Sequence, residues 1–268
     1  MDHIELNGTS LRYDISGVSG PPLVLIHEMG GMIENWDLVV PHLADRYAIL
    51  RYDSRGCGLS AKIRRPLSVE MLSDDLSALL DAVGIREPVA IASCALGSAT
   101  AFAFAARFPA LTAAVIAMSP AIDMKPEDRP ARHAMLENIL RDGMAAIVDG
   151  AMASGYPEIL RKRDPERYRA FRARWLGNDP DSFVAQYRLL IDMDIAHYVR
   201  QIRCPALGIG GTLDIFRNPE YVRSVMGAIP DVEFLTIETS HHQTVETPDE
   251  IGRAVRGFLD RRLLRSAA

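Results

Sequence analysis

The chain has 268 residues, of which 48% are hydrophobic and 24% are charged, the composition of a folded globular protein rather than a disordered one. Its 30 Lys and Arg against 35 Asp and Glu give a net charge of −5, so no basic excess indicates a nucleic-acid partner. No apolar run approaches the roughly 18 residues that a membrane span needs. The length suits one large α/β domain.

The first ten residues and the cysteines bear on the compartment. The start of the chain lacks the basic and apolar regions of a secretion signal. Three cysteines, an odd number in a long chain, do not form a disulfide framework. We therefore expect a cytoplasmic protein that binds no membrane and no nucleic acid. Its expected partners are a small-molecule substrate and, in a homodimer, a second copy of the chain.

Short apolar segments rich in Val, Ile and Leu alternate with helical patterns. The predicted strands are residues 23–26, 48–52, 89–92, 113–118, 205–209 and 232–237. The predicted helices include residues 69–83 and 96–108. This alternation predicts an α/β fold with a mostly parallel, doubly wound sheet. An Asn7-Gly8 turn between two short apolar runs predicts an antiparallel hairpin at the sheet edge.

The alternation stops after Pro120. Only amphipathic helical segments occur between about residues 124 and 198. We interpret residues 124–198 as an all-helical cap inserted into a core formed by residues 1–123 and 199–268. Basic residues outnumber acidic ones between positions 158 and 174. Such a run is typical of a solvated helix face, and the alternative is that it steers an anionic substrate.

Parallel sheets bind ligands at the carboxyl ends of their strands, so the residues that follow each strand are the candidates for function. Four such segments carry chemically informative residues: His27-Glu28-Met29-Gly30-Gly31, residues 53–60 (DSRGCGLS), Gly211-Thr212-Leu213-Asp214, and Thr239-Ser240-His241-His242.

These segments give the sequence a resemblance to the α/β-hydrolases, and among them to the 3-oxoadipate enol-lactonases and related esterases. The stretches IHEMGG, RYDSRGCGLS, SCALGS, GGTLD and SHHQTVETPDE carry it, in the order that the family has them. The resemblance implies the α/β-hydrolase fold and an enzyme that cleaves ester or related carbonyl bonds, with no cofactor and no metal. It also implies that Asp214 is the acid and His241 the base of a catalytic triad. An imidazole held by a carboxylate can take a proton from a nucleophile and return it to a leaving group.

The sequence leaves the nucleophile open, because two registers of the family's elbow compete. The elbow needs small residues two before and two after the nucleophile. Ala95 at the elbow meets this requirement with Ser93 and Gly97, but its methyl group cannot attack. Cys94 at the elbow supplies a thiol but places Leu96 at the second following position. Three interpretations remain open. Cys94 is the nucleophile on a shifted turn, or Ala95 is an engineered replacement of a serine, or the chain naturally lacks a nucleophile.

We favour Cys94, because Glu28 stands where the family commonly has glycine. This resembles the dienelactone hydrolases, which pair a cysteine nucleophile with a glutamate on this loop. Cys94 would attack the carbonyl, His241 with Asp214 would act as base and then acid, and Glu28 would assist deprotonation or orient water. The remaining expected site residues, which form the oxyanion hole or bind substrate, are His27, Met29, Ala95, Leu96 and Trp175.

The expected function is hydrolysis of a small ester, lactone or enol-lactone. If the basic segment between positions 158 and 174 steers the substrate, we expect that substrate to bear a carboxylate. The alternatives are a ligand receptor of the same fold, a lyase or decarboxylase based on His241, and an inactivated form with alanine in place of serine at position 95.

Overall fold

A single eight-stranded sheet organises the computed structural model, which describes residues 1–264; residues 265–268, the end of the predicted core, lie outside the described residues. The strands are β1 (Asp2–Leu6), β2 (Thr9–Gly17), β3 (Pro22–Ile26), β4 (Ala48–Tyr52), β5 (Val89–Cys94), β6 (Thr112–Met118), β7 (Ala206–Gly211) and β8 (Val232–Ile237). Their order is β1-β2-β4-β3-β5-β6-β7-β8. Strands β3 to β8 are parallel, and β1 and β2 are antiparallel to their neighbours. The predicted fold class is confirmed.

The predicted edge hairpin is also confirmed. Asn7 and Gly8 both have positive φ, 47° and 70°, as a two-residue type I′ turn requires. The turn sets the register, with Leu6 opposite Thr9.

Helices cover both faces of the sheet. They are α1 (Val69–Ala82), α2 (Leu96–Arg107), α3 (Arg129–Asp142), α4 (Val148–Gly155), α5 (Glu158–Arg163), α6 (Pro165–Leu176), α7 (Pro180–Asp192), α8 (Ala196–Val199), α9 (Pro219–Met226), α10 (Gln243–Glu246) and α11 (Pro248–Leu259). Residues of α1, α2, α8 and α9 form one buried apolar cluster with the sheet, and residues of α11 form the cluster on the opposite face. Among residues 1–264, no helix has the length and apolar character needed to cross a membrane.

Between β6 and β7 the described chain forms helices α3 to α8 and no strand of the sheet, and we call residues 124–198 the insertion. The insertion has its own apolar cluster, which includes Phe171, Trp175 and Phe183 and also takes in Val245 from α10. The Asn178 side chain donates a hydrogen bond to the Gly30 carbonyl at 2.9 Å. The insertion is thus fixed over the loop that follows β3, at the carboxyl edge of the sheet.

Candidate active site

The turn between β5 and α2 consists of one residue, Ala95. Strand β5 ends at Cys94 and α2 begins at Leu96, so the backbone reverses at Ala95, which has φ 44° and ψ −115°. A positive φ is strained for a residue other than glycine, and it is the conformation that exposes the nucleophile in this kind of elbow. The Ala95 N–H donates to the Met118 carbonyl at 2.9 Å, which anchors the turn to β6. The alternative register, with Ala95 on the elbow, is therefore the one that the structure adopts.

Cys94 lies in the last position of β5 rather than on the elbow. Its side chain is 1% exposed and belongs to the apolar cluster on the α11 face of the sheet. The Sγ atom is 3.8 Å from the Met118 sulfur. Burial, together with the negative charge of Glu28, raises the pKa of the Cys94 thiol well above its usual value. Since the thiolate is the reactive form, this environment does not favour Cys94 as the nucleophile.

The structure brings His241 and Asp214 together. Asp214 follows β7 and His241 follows β8, and the His241 Nδ1 lies 2.9 Å from the Asp214 Oδ2. The Asp214 Oδ1 accepts hydrogen bonds from the backbone N–H groups of Phe216 and Arg217. Burial alone would raise the pKa of Asp214, but the His241 charge and the hydrogen bonds outweigh it and hold that pKa well below its usual range.

This pairing leaves one nitrogen of His241 for proton transfer. Because the Asp214 carboxylate can only accept, Nδ1 carries the proton of the neutral imidazole and Nε2 carries the lone pair. No protein group among residues 1–264 hydrogen-bonds to that Nε2, and the side chain is 19% exposed. The geometry is that of a general base supported by a buried carboxylate.

His27 has a structural role in the loop after β3. Its Nε2 accepts a hydrogen bond from the Ser54 N–H at 3.0 Å, so its Nδ1 is protonated and donates to the Glu28 carbonyl at 2.7 Å. Both ring nitrogens are therefore engaged. The ring therefore holds the loop that presents Met29.

Met29 and Leu96 meet where an oxyanion hole is expected. Neither backbone N–H donates a loop, turn or cap hydrogen bond to a backbone carbonyl within residues 1–264. Both residues, together with Glu28, line a cavity of about 20 Å³, which is large enough for one water molecule or one substrate oxygen. A second, open cavity of about 570 Å³ lies between α1 and α7, and neither of the two cavities is lined by His241 or Ala95.

Glu28 is buried and faces a second histidine. Its Oε1 accepts a hydrogen bond from the Asn35 amide at 2.8 Å and lies 3.6 Å from the His242 Nδ1. Burial would raise the pKa of Glu28, but the proximity and charge of His242 outweigh it and lower that pKa. Burial lowers the pKa of His242. Glu28 and His242 therefore form a buried pair in which the charge of each group affects the pKa of the other.

Trp175 reaches this second histidine from the insertion. The indole ring lies 5.8 Å from the His242 ring and 5.4 Å from the Phe183 ring. Trp175 is 6% exposed, and its Nε1 has no hydrogen-bond partner in the described part of the chain. It thus forms part of the wall behind the two histidines.

The basic run of the insertion is largely neutralised by acidic neighbours. The ion pairs are Lys162 with Glu158, Arg163 with Glu238, Arg167 with Asp164, and Arg172 with Asp149. Arg174 instead donates to the Asn35 side-chain oxygen at 3.2 Å. The run therefore fits a solvated, paired surface better than a cationic patch that steers an anionic substrate.

The turn at residues 53–60 stabilises the scaffold. The fully buried Asp53 carboxylate accepts hydrogen bonds from the Ile33 and Leu59 N–H groups and pairs with Arg12. A Cβ on Gly58 would lie 2.1 Å from an Asp53 oxygen, so only glycine fits there. Among residues 1–264, no three His, Cys, Asp or Glu side chains are grouped as a metal site requires.

Sequence reasoning misses two residues of this region, His242 and Asn35. It assigns His242 no role beyond that of a neighbour of His241, although two consecutive histidines after a strand are a visible signal. Nothing in the sequence marks Asn35, because its contacts with Glu28 and Arg174 exist only in the folded chain.

Comparisons with known proteins identify relatives of this chain. Residues 21–145 match the model of the α/β-hydrolase fold family. The chain is 24% identical over 262 residues to pyrrolizixenacetamide deacetylase of Xenorhabdus hominickii, a match that covers 97% of this chain and 98% of that protein. It is 22% identical over 261 residues to 3-oxoadipate enol-lactonase 2 of Acinetobacter baylyi, covering 97% of each.

Solved structures show the same fold. The enol-lactonase from Burkholderia xenovorans LB400 superposes with a TM-score of 0.91 at 26% identity, covering 96% of this chain and 99% of that one. A thermophilic esterase from Thermogutta terrifontis superposes with a TM-score of 0.91 at 23% identity, covering 97% and 99%. The chain thus has the α/β-hydrolase fold, matches that family's model over residues 21–145, and has enol-lactonases among its relatives. The predicted family resemblance and the predicted enzyme class, an α/β-hydrolase, are confirmed.

Proposed function

We propose that the chain hydrolyses small esters, lactones or enol-lactones without a cofactor and without a covalent acyl-enzyme, with water as the attacking group. The observation that carries the proposal is the pairing of His241 with Asp214 at 2.9 Å, at the same sheet edge as an elbow whose residue, Ala95, has no attacking atom. Relatives named as an enol-lactonase and a deacetylase support cleavage of a carbonyl bond.

The proposed step uses His241 as a proton carrier. The water oxygen forms a bond to the carbonyl carbon while one water proton passes to the His241 Nε2. The same proton then passes to the leaving oxygen as its bond to carbon breaks, which gives a carboxylic acid and an alcohol. Asp214 stabilises the imidazolium between these two events. The N–H groups of Met29 and Leu96 would hold the negative carbonyl oxygen, and Trp175 would line the substrate pocket.

The experiment is a substrate panel with matched variants. The panel contains p-nitrophenyl esters, small lactones and enol-lactones, measured with the wild type, His241→Ala and the exposed-histidine control His133→Ala. We expect His241→Ala to lower kcat/KM by about 10³-fold or more, as loss of a triad-type base does, and His133→Ala to leave it unchanged. A His241→Ala enzyme that keeps more than about a tenth of the activity contradicts the proposal. A wild type that binds panel compounds and cleaves none favours the receptor alternative.

A further inference from the structure

A second strained residue lies next to the elbow. Among residues 1–264, the residues other than glycine that have positive φ are Asn7, Ala95 and Ser119. Asn7 belongs to the edge hairpin and Ala95 to the elbow. Ser119, with φ 46°, directly follows β6 and has no role in the mechanism described above. Strained residues persist only where the surrounding structure holds them, and they cluster at functional sites, so Ser119 is a candidate for a further role.

Hydrogen bonds from the elbow and from β7 brace the backbone around Ser119. The Ala95 N–H donates to the Met118 carbonyl at 2.9 Å, and the Ala95 carbonyl accepts from the Ala121 N–H at 3.1 Å. The Ser119 N–H donates to the Ile209 carbonyl of β7 at 3.1 Å. Glycine would adopt a positive φ without the strain that a Cβ causes. The backbone alone therefore does not account for a serine at this position, and its side chain needs an explanation.

The Ser119 hydroxyl lies between the acid and the loop that carries the base. The side chain is fully buried, and its Oγ accepts a hydrogen bond from the Gln243 Nε2 at 2.8 Å. The same Nε2 donates to the Ile209 carbonyl at 3.5 Å, which agrees with this orientation of the amide. The hydroxyl proton is then available for donation, and the Asp214 carboxylate accepts it. Because Gln243 comes two residues after His241, Ser119 connects the loops of both catalytic residues.

The Asp214 carboxylate depends on such contacts, because the torsion that orients an aspartate carboxylate has only broad preferences. The Phe216 and Arg217 N–H groups donate to Oδ1 at 2.8 and 3.0 Å, and the His241 Nδ1 lies 2.9 Å from Oδ2. The Ser119 hydroxyl adds a donor from a different strand, β6. A hydrogen bond to the ionised form stabilises that form, and this contact contributes to the lowered pKa of Asp214.

We propose that Ser119 is a positioning residue, whose hydroxyl, held by Gln243 and by the strained backbone after β6, fixes the Asp214 carboxylate toward His241. The inference rests on the proposed function. When a water proton passes to the His241 Nε2, the Nδ1–H bond stays intact and the imidazolium faces the carboxylate. A carboxylate free to rotate would leave that positive charge without compensation. Ser119 donates the same hydrogen bond before and after the transfer and loses no proton.

The first test compares Ser119→Ala with Ser119→Gly. Both lose the hydroxyl, but only glycine also relieves the backbone strain. We expect each to lower kcat about tenfold on the best panel substrate, with KM within about twofold of the wild type. The control Ser73→Ala removes an equally buried hydroxyl, which donates to the Glu70 carbonyl within α1, and should leave kcat unchanged. Wild-type kcat in either Ser119 variant, or a loss confined to KM, would overturn the proposal.

The second test follows the His241–Asp214 hydrogen bond itself and needs no turnover. In protein with ¹⁵N-labelled histidine, the His241 Nδ1 proton should give a downfield resonance that His241→Ala lacks. We expect this resonance to shift or to broaden in both Ser119 variants and to stay in place in Ser73→Ala. An unchanged resonance in the Ser119 variants, or its absence from the wild type, overturns the positioning role even if esters are hydrolysed. A changed resonance in a protein that cleaves no panel compound keeps the positioning role and rejects the hydrolase proposal.

Discussion

Ala95 carries a methyl group at the position where a serine hydrolase of this fold carries its attacking oxygen. The chain nevertheless has the strained elbow backbone and the His241–Asp214 pair. A strained backbone conformation costs folding free energy and persists only where the surrounding structure holds it. One side chain therefore separates covalent catalysis from the water mechanism proposed above.

The three cysteines give the first prediction at this scale. Burial raises the pKa of Cys204 to about 11 and that of Cys57 to about 12, and it raises that of Cys94 well above its usual value. Cys204 is half-buried, whereas the other two are buried. We expect iodoacetamide to modify native Cys204 at least about tenfold faster than Cys94 or Cys57, because access and thiolate content govern the rate.

The matched variants for this prediction are Cys94→Ala and Cys204→Ala. Both should keep turnover within about threefold of the wild type, since neither thiol reacts with substrate. Peptide mapping after labelling identifies the modified residue. Preferential labelling of Cys94 that removes activity, with protection by substrate, would restore the thiol mechanism.

At the scale of elements, the elbow depends on close contact between α2 and β3. A Cβ on Gly97 would lie 2.4 Å from the His27 carbonyl oxygen, and backbone cannot yield as a flexible side chain does. We expect Gly97→Ala to lower the free energy of unfolding by about 3 kcal/mol or more. The control is Gly150→Ala in α4, where a Cβ meets nothing within 4 Å and should add up to about 1 kcal/mol of helix stability. Urea unfolding measures both, and equal stability of the two variants would be evidence against the close α2–β3 contact.

The loop that carries His241 is held by a buried acid, Glu246. Its Oε2 accepts hydrogen bonds from the Thr239 hydroxyl at 3.0 Å and the Ser240 N–H at 2.6 Å. Burial outweighs these hydrogen bonds and raises the pKa of Glu246 to about 8 from the ordinary value of 4.5. A raised pKa in the folded state means that stability is fully present below about pH 4.5 and is lost as the pH rises through 8.

Glu246→Gln tests this linkage, because glutamine keeps the acceptor oxygen and cannot ionise. The free energy of unfolding of Glu246→Gln, relative to the wild type, should increase by a few kcal/mol between pH 4.5 and pH 8. The exposed control Glu87→Gln should follow the wild type over the same range. Denaturant unfolding at a series of pH values makes the comparison, and parallel curves for all three proteins would show that Glu246 does not titrate as stated.

At the scale of the whole molecule, the sequence was sufficient to predict the strands of the parallel sheet and to identify Asp214 and His241 among the residues that follow them. Apolar runs located every strand of the parallel part, and Asp214 and His241 were identified because each comes just after one. These features depend on local pattern and on the topology of parallel sheets.

The rest depends on contacts that local pattern does not contain. The apolar run 89–92 did not show that β5 continues through Ser93 and Cys94, which pair with Ala117 and Met118 of β6. That extension of two residues moves Cys94 into the core and Ala95 onto the elbow. The approach of Glu28 to His242 joins positions more than 200 residues apart in the chain. Glu28 follows β3 and His242 follows β8, so the two residues meet at the carboxyl edge of the folded sheet, where the insertion packs against them.

Cleavage of the substrate without a covalent intermediate is the central claim for this α/β-hydrolase. The most direct measurement is the intact mass of the protein, quenched within the first turnover of the best panel ester, for the wild type and for Ala95→Ser. We expect the wild-type mass to stay unmodified during turnover. The Ala95→Ser variant should gain one acyl group, which peptide mapping places at position 95 and at no other site. An acyl group on the wild type, at Cys94 or elsewhere, formed and lost at the rate of turnover, would contradict the claim.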